Sequence, residues 1–297
     1  MDDAILPFQI DSSGLRGRSA RLGAALDAIL DRHDYPAPVA GLLGETVTLA
    51  ALLASTLKYD GVFTLQTKGD GPVSLMVADV TSTGDIRGYA RFDANRLPHD
   101  GTPTFRDLLG AGHLAFTVDQ GEHTERYQGI VELTGDTLAE CLTHYFRQSE
   151  QINAGLKLAV GRGDAGWRAG GLMLQRLPDQ EKIIPASDRE DDWRRAMILM
   201  ESATDAELLD PGLAPSRLLY RLFHEDGVRV FDPQPVRDRC RCSRDKVTAA
   251  LTAIPRAELE TLKIDGRVEV NCEFCNTTYR FDDADLDRLK EEARAES

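Results

Sequence analysis

Four of the five cysteines in this 297-residue sequence fall in two tight pairs. Cys240 and Cys242 form a C-x-C pair, and after 29 intervening residues Cys272 and Cys275 form a C-x-x-C pair. Zinc binds four thiolates tetrahedrally at about 2.3 Å, and two paired-thiol arms joined by a short folded segment commonly supply them. The spacing predicts one Zn²⁺ per reduced chain and disfavours four unrelated buried cysteines.

A zinc-bound sulfur is a thiolate, which is the form that oxidants attack, so this site could be either a structural clip or a redox sensor. Residues 236–297 are predicted to form a small zinc-binding domain around it. Ser243 is expected to cap a helix, and residues 267–270 form an alternating strand that leads to the second pair. Because so small a domain has a thin core and structural zinc contributes about 10–16 kcal/mol, removing the metal should unfold it.

The remaining sequence offers little catalytic chemistry. Cys141 and His144 are three residues apart on one predicted helix, which favours a cysteine buried in helix packing over a nucleophile with its base. The glycine-rich stretch 161–166 lacks the Gly-Lys-Ser/Thr of a phosphate-binding loop and is expected to be a turn. We find no acid–base pair and no cofactor fingerprint, so we predict a protein without catalytic residues that is not an enzyme.

Charge and composition narrow the class of partner. The net charge of −14 and the isoelectric point near 4.9 argue against a dedicated nucleic-acid binder, which needs clustered Lys and Arg. No uninterrupted apolar run appears long enough to cross a bilayer, and the acidic start of the chain does not resemble a secretory signal. We therefore expect a cytoplasmic protein that does not bind membranes, in a compartment where clustered cysteines indicate metal or redox chemistry.

Residues 1–184 are predicted to form an α+β domain. Apolar residues at helical spacing indicate helices near residues 22–30 and 38–57, the second of them buried. Alternating segments predict consecutive antiparallel hairpins, with a tight turn at 68–71 between the first two strands. Sheets of hairpins packed against helices are typical of an α+β fold. The predicted strands are 8–10, 62–67, 73–77, 86–90, 113–118, 125–131 and 170–175.

Residues 185–235 are predicted to form a helical linker. Its two amphipathic helices carry apolar faces, but helices this short are marginal in isolation and need their neighbours. The linker is therefore expected to dock on the rest of the protein and to be lost when its support is lost, although an ordinary helical subdomain would show the same pattern. The predicted docking surface comprises Trp193, Met197, Met200, Leu219, Leu222 and Phe223.

Beyond these patterns, nearly the whole chain resembles the thirty-three-kilodalton heat-shock protein family, the redox-regulated holdase chaperones of bacteria. One departure is Asn153-Ala154, where the family pattern has Pro-Thr, at a loop to which we assign no chemical role. The resemblance is carried by Cys240-Arg-Cys242-Ser-Arg, Val268-Glu-Val-Asn-Cys272-Glu-Phe-Cys275, Gly41-Leu-Leu-Gly-Glu-Thr, Ala54-Ser-Thr-Leu-Lys-Tyr-Asp-Gly61, Gly69-Asp-Gly-Pro-Val-Ser-Leu75, Arg87-Gly-Tyr-Ala90, Gln148-Ser-Glu-Gln151 and Ala169-Gly-Gly-Leu-Met-Leu-Gln-Arg-Leu-Pro178.

The resemblance implies a switch. In the reduced, zinc-bound state the protein would be folded and largely inactive. Oxidation, especially under mild unfolding stress, would join Cys240 to Cys242 and Cys272 to Cys275. Zinc would leave, the zinc-binding domain and then the linker would unfold, and the exposed apolar surface would hold unfolding client proteins without ATP. The resemblance also allows for a homodimer of the oxidised chain.

Two other classes of protein remain open. A zinc-ribbon protein that binds nucleic acid or the ribosome would show salt-sensitive RNA affinity independent of redox state, and the acidic chain counts against it. A thiol–disulfide oxidoreductase using Cys272-Glu-Phe-Cys275 would need a thioredoxin-like βαβ unit around it, and the sequence does not show one.

Overall fold

The computed structural model describes residues 2–99, 101–121, 127–176 and 186–295, with the side chains of 186–189 and 290–295 excepted. Its internal contacts divide the chain into two units, 1–239 and 240–297. The predicted boundary between residues 184 and 185 lies outside the described residues. The three-part division into 1–184, 185–235 and 236–297 stays a prediction.

The first unit is built from twelve strands and seven helices in the described ranges. The strands are β1 (Ala4–Ile10), β2 (Arg16–Leu22), β3 (Val62–Gly69), β4 (Val73–Thr81), β5 (Asp85–Phe92), β6 (Gly112–Asp119), β7 (Tyr127–Glu132), β8 (Asn153–Gly163), β9 (Gly166–Arg176), β10 (Val228–Val230), β11 (Gln234–Pro235) and β12 (Arg237–Asp238). The helices are α1 (Ala24–Leu30), α2 (Ala37–Ala54), α3 (Phe105–Leu109), α4 (Leu138–Tyr145), α5 (Ala186–Glu201), α6 (Asp205–Leu209) and α7 (Pro215–Phe223). Short 3-10 or π turns occupy Ala94–Arg96, Phe146–Glu150 and His224–Asp226.

Two six-stranded sheets organise this unit. The first has the order β10-β1-β2-β9-β8, with β11 also paired to β1, and the second has the order β12-β5-β4-β3-β6-β7. Every pairing is antiparallel except that of β12 with β5, which is parallel. The predicted α+β class with antiparallel sheets is therefore confirmed. The glycine-rich stretch 161–166 lies at the turn of the β8–β9 hairpin, where Gly163 pairs with Gly166.

Helix α2 lies in the main core of the first unit, where most of its side chains are buried. Among the described residues it is the one helix long and apolar enough to cross a membrane by length and composition, with a mean hydropathy of 1.6. The helix reaches that length although Glu45, Thr46 and Thr48 interrupt its apolar residues. Because 78% of that stretch is buried inside the protein, its composition is explained by packing in the core.

A second apolar cluster lies between the first sheet and helices α5, α6 and α7. The ring of Phe8 on β1 stacks on that of Phe223 on α7, with centroids 5.9 Å apart. Phe8 can lie flat across β2 because residue 17 is glycine, where a Cβ would fall 2.0 Å from the ring. The helices of the predicted linker therefore pack on a face of the first sheet through side chains that are mostly apolar.

The second unit is smaller and has its own core. It contains α8 (Arg244–Thr252), α9 (Arg256–Thr261), β13 (Lys263–Ile264), β14 (Arg267–Asn271), β15 (Thr278–Phe281) and α10 (Asp283–Ala295), with the three strands in the order β13-β14-β15. The predicted cap of α8 is present, since Ser243 Oγ accepts a hydrogen bond from the Lys246 N–H. Among the described residues, six apolar side chains are buried in this core: Leu251, Leu259, Val268, Phe281, Leu286 and Leu289. Such a core is thin for an independently folded domain.

Candidate metal centre

The sulfur atoms of the two cysteine pairs lie close together in the second unit, although the pairs belong to different parts of its fold. Cys240 and Cys242 lie in the extended segment before α8, whereas Cys272 and Cys275 lie in the turn between β14 and β15. That turn is closed by two backbone bonds, from the Cys272 N–H to the Thr277 carbonyl and from the Asn276 N–H to the Cys272 carbonyl, each 2.9 Å. Asn276 has φ of +57°, a left-handed conformation that asparagine tolerates, and it turns the chain back into β15.

The four sulfur atoms lie within 4.8 Å of one another. The Cys240 and Cys272 sulfurs are 3.7 Å apart, and those of Cys242 and Cys275 are 3.3 Å apart. A tetrahedron of sulfurs about 2.3 Å from a central zinc ion has edges of about 3.8 Å, so this arrangement fits the predicted ligand set. Within the described part of the chain, no second cluster of His, Cys, Asp or Glu has this geometry. None of the four cysteines is in a disulfide, and all four are half-buried.

Burial and hydrogen bonds shift the pKa values of two of the thiols, Cys242 and Cys275, in different directions. Burial raises the pKa of Cys242 to about 12, and sharing its proton with Cys275 and Cys240 adds to the shift. Burial would also raise the pKa of Cys275, but hydrogen bonds from Thr277 and Cys242 outweigh it and lower this pKa to about 6. The pKa values of these two thiols are therefore shifted in opposite directions, whereas a divalent cation would stabilise all four sulfurs as thiolates.

Two hydroxyl groups that sequence analysis did not assign to the site touch the sulfurs. The Tyr279 hydroxyl donates a hydrogen bond to Cys242 Sγ at 3.2 Å, and Thr277 Oγ1 lies 3.2 Å from Cys275 Sγ. Such outer contacts orient metal ligands and tune their charge. Their only signal in the sequence is position, two residues after the second pair for Thr277 and four for Tyr279.

Side chains of helix α8 connect the segments that carry the cysteines to the small core. Lys246 Nζ donates to the Arg241 carbonyl at 2.8 Å, which fixes the backbone between Cys240 and Cys242. The guanidinium of Arg244 lies over the Phe281 ring, 4.3 Å from its centroid, and pairs with Asp285 at 2.9 Å. The four-cysteine cluster and the core of this unit are therefore built from the same few elements.

The predicted linker residues lie within the first unit. Met200, Leu219, Leu222 and Phe223 are buried in the cluster against the first sheet, and Trp193 and Met197 pack at its margin. Cys141 is fully buried on α4, where its sulfur accepts a hydrogen bond from the Gly135 N–H, as expected of a packing residue. Burial raises the pKa of this thiol, which keeps it protonated.

Comparison with known proteins identifies relatives across the whole chain. The Hsp33 protein family model matches residues 3–282. The 33 kDa chaperonin of Caulobacter vibrioides is 42% identical over 292 residues, covering 95% of each chain. That of Ectopseudomonas mendocina is 40% identical, covering 97% of this chain and 95% of its own. The crystal structure of the 33 kDa chaperonin from Thermotoga maritima matches with a TM-score of 0.82 at 26% identity, covering 99% of this chain and all of that one. Together with the four-cysteine centre, these matches show that the chain belongs to the Hsp33 family.

Proposed function

We propose that this protein is a redox-regulated, ATP-independent molecular chaperone that binds unfolding proteins after its four clustered cysteines are oxidised. The observation that carries the proposal is the convergence of four sulfurs within 4.8 Å on a unit with few buried apolar side chains. A fold that depends on a metal held by oxidisable ligands can be unfolded by an oxidant. The chaperonin names of the relatives support a chaperone role and a protein that is not an enzyme.

In the reduced state, Cys240, Cys242, Cys272 and Cys275 would hold one Zn²⁺. The ion would supply cross-linking between the two cysteine arms, and it would stabilise the four thiolates by its charge. Fully buried apolar side chains contribute roughly 1.5–3 kcal/mol each, so six of them stabilise this unit weakly against the entropy of ordering its chain. The metal, worth about 10–16 kcal/mol in comparable sites, then decides whether the unit is folded.

Oxidation would remove the ligands in pairs. A two-electron oxidant such as hydrogen peroxide converts two thiolates and two protons into one disulfide and two water molecules. Two peroxides would therefore produce two disulfides, proposed as Cys240–Cys242 and Cys272–Cys275, and would free the Zn²⁺. Each of these pairings joins cysteines of one arm, and all the sulfurs are close enough for either to form with local movement.

Client binding would use the apolar surface that the linker helices now cover. The proposed surface comprises Trp193, Met197, Met200, Leu219, Leu222 and Phe223, together with the sheet residues against which they pack. Clients would be unfolded or partly unfolded proteins, bound through exposed apolar side chains. We place this activity in the cytoplasm, where thiols remain reduced until oxidative stress. A homodimer of the oxidised chain belongs to the same proposal, and sedimentation with and without oxidant tests it.

The experiment that tests this function is suppression of client aggregation without ATP. Chemically unfolded client protein is diluted into buffer with the zinc-bound reduced protein or with the peroxide-treated protein. We expect light scattering to fall only with the oxidised protein. Equal protection by both forms would refute redox regulation, and protection by neither would refute the chaperone role. The oxidoreductase alternative is disfavoured by the fold, since the C-x-x-C lies between antiparallel strands β14 and β15 and not in a βαβ unit.

A further inference from the structure

An extended segment, residues 228–239, runs along the edges of both sheets of the first unit. We call it the strap. It pairs with β1 through β10 and β11, and with the start of β5 through β12. Between these pairings its amides continue the same hydrogen bonding: Phe231 donates to the Pro7 carbonyl, Val236 to Asp3, Arg237 to Gly84 and Arg239 to Ile86, at 2.9–3.1 Å. The strap is therefore the outermost strand of each sheet.

Main-chain hydrogen bonds, more than side-chain packing, hold the strap. Val230 and Phe231 are large apolar residues that remain 42% and 47% exposed. Val228 and Val236 are the exceptions, since Val228 is half-buried against the second apolar cluster and Val236 is buried in the main core. Ion pairs add to the attachment near its end, where Asp238 pairs with Arg32 and Arg237 pairs with Asp85. A segment held in this way is recognised by its extended backbone and only weakly by its sequence.

Strand β1 has the character of an edge strand. It carries Pro7, a residue that sheets accept at edges because it has no N–H to donate. Pro7 pairs with Arg18 of β2 on one side, and its carbonyl accepts the Phe231 amide on the other. Beneath residues 232–236 lies a cleft of about 610 Å³, bounded in part by Ile5 and Tyr59. Without the strap, β1 would present unpaired backbone groups beside this cleft.

We propose that the strap is an autoinhibitory strand, and that the edges of β1 and β5 which it occupies bind extended segments of client proteins once it has been released. The inference rests on the proposed function and adds to it a backbone-mediated binding mode. An unfolded chain offers extended segments of any sequence, which is the chemistry that the strap itself presents to these edges. The strap leads directly into Cys240 in the sequence, so loss of structure in the cysteine unit removes the ordered anchor at its end.

The first test releases the strap in the reduced, zinc-bound, full-length protein. Phe231→Pro removes the amide that donates to Pro7, whereas the matched control Phe231→Ala trims the same exposed side chain and keeps the amide. Losing one such bond should raise the hydrogen-exchange rate of the amides of Arg229, which lies opposite Gln9 in the hydrogen-bonded register, and of Val236 about two- to tenfold. The reduced proline variant should then protect an aggregating client more than the alanine control does. Faster exchange with equal protection by the two variants would overturn the inference.

The second test supplies the strap in trans. A fluorescent peptide of residues 227–239 is added to the oxidised full-length protein, alongside a control peptide with the same side chains but N-methylated at Phe231 and Val236. We expect the first peptide to bind and to compete with client, and the methylated peptide to do neither. Client protection by the oxidised protein without competition by the peptide would overturn this inference alone. Absence of any client protection would instead overturn the proposed function, and this inference with it.

Discussion

Replacing Phe223 by alanine tests whether packing of the linker helices controls activity. Phe223 is fully buried, and its ring stacks on Phe8 at 5.9 Å with an interplanar angle of 22°. A Phe→Ala change in a well-packed cluster typically destabilises by about 3–5 kcal/mol. Helix α7 has only nine residues and would be marginal without its docking surface. Most of this loss of stability should therefore act on the local opening of α7. The equilibrium constant for that opening should rise by roughly two to three and a half orders of magnitude.

The assay is hydrogen exchange across α7 in the reduced, zinc-bound protein, run beside client aggregation. Tyr220→Ala is the matched control, because Tyr220 lies on the same helix and is 64% exposed, so that its loss should change stability by less than about 0.5 kcal/mol. We expect Phe223→Ala to exchange faster across α7 and to protect clients without oxidation. Equal exchange in the two variants would refute the packing argument. Fast exchange without client protection would show that opening this helix does not produce activity.

The remaining predictions concern single groups elsewhere in the protein. Replacing Cys272 by serine should weaken or abolish zinc binding, measured as zinc per chain after purification under reducing conditions, and full stoichiometry in all four single serine variants would contradict the ligand assignment. Cys141 should remain a free thiol after activation, as read by peptide mapping, because it is buried and its pKa is raised; an activating disulfide through it would contradict the scheme. Burial raises the pKa of Glu45 from 4.5 to about 7, so the folded state favours the protonated form. The protonated Glu45 side chain therefore leaves the folded protein at its most stable below pH 4.5, and that stability is lost as the pH rises through 7. The free energy of unfolding of Glu45→Gln, measured by chemical denaturation, should therefore rise relative to that of the parent protein between pH 5 and pH 8, by up to about 3 kcal/mol. A difference between the two proteins that stays constant over this pH range would exclude the Glu45 carboxyl as the cause.

The chemistry of the candidate site was largely readable from the sequence because it depends on local spacing. Two cysteines within a few residues of each other can reach one ion whatever the rest of the fold does, so the four candidate ligands followed from the C-x-C and C-x-x-C patterns, and the structure brings their sulfurs together. The helix cap at Ser243 is equally local, since it involves the N–H of Lys246 three residues away. The hydroxyls of Thr277 and Tyr279 were not assigned, because their approach to sulfur depends on how the β14–β15 turn folds.

Elements that depend on distant partners were harder to predict. Strand β2 was missed because it carries three arginines, a composition that suggests a solvated loop. One of them, Arg21, is buried in the structure and donates to the Leu213 carbonyl, 192 residues away. Strand β10 has three residues and no pattern of its own, and it becomes a strand by pairing with β1. Helix α10 was also missed, since the first six residues of its sequence carry three aspartates and give a weak apolar pattern.

The antiparallel strands of the second sheet were predicted better, for a physical reason. Strands β3 and β4 are joined by a short turn, and their alternation of buried and exposed residues is intrinsic to a sheet with one buried face. The order of strands in the first sheet could not follow from such patterns. It places β9 beside β2 across about 150 residues of chain, with Leu22 opposite Ala169. Only the packed fold specifies that pairing.

The central claim, that loss of zinc produces chaperone activity, is tested most directly by one titration. The reduced, zinc-loaded protein is treated with increasing peroxide at a mildly elevated temperature, and each sample is divided between a colorimetric zinc assay and a client-aggregation assay. We predict that zinc release and client protection rise together and approach completion near two peroxides per chain, as two disulfides require. Complete zinc release without client protection, or full protection while zinc remains bound, would contradict the account.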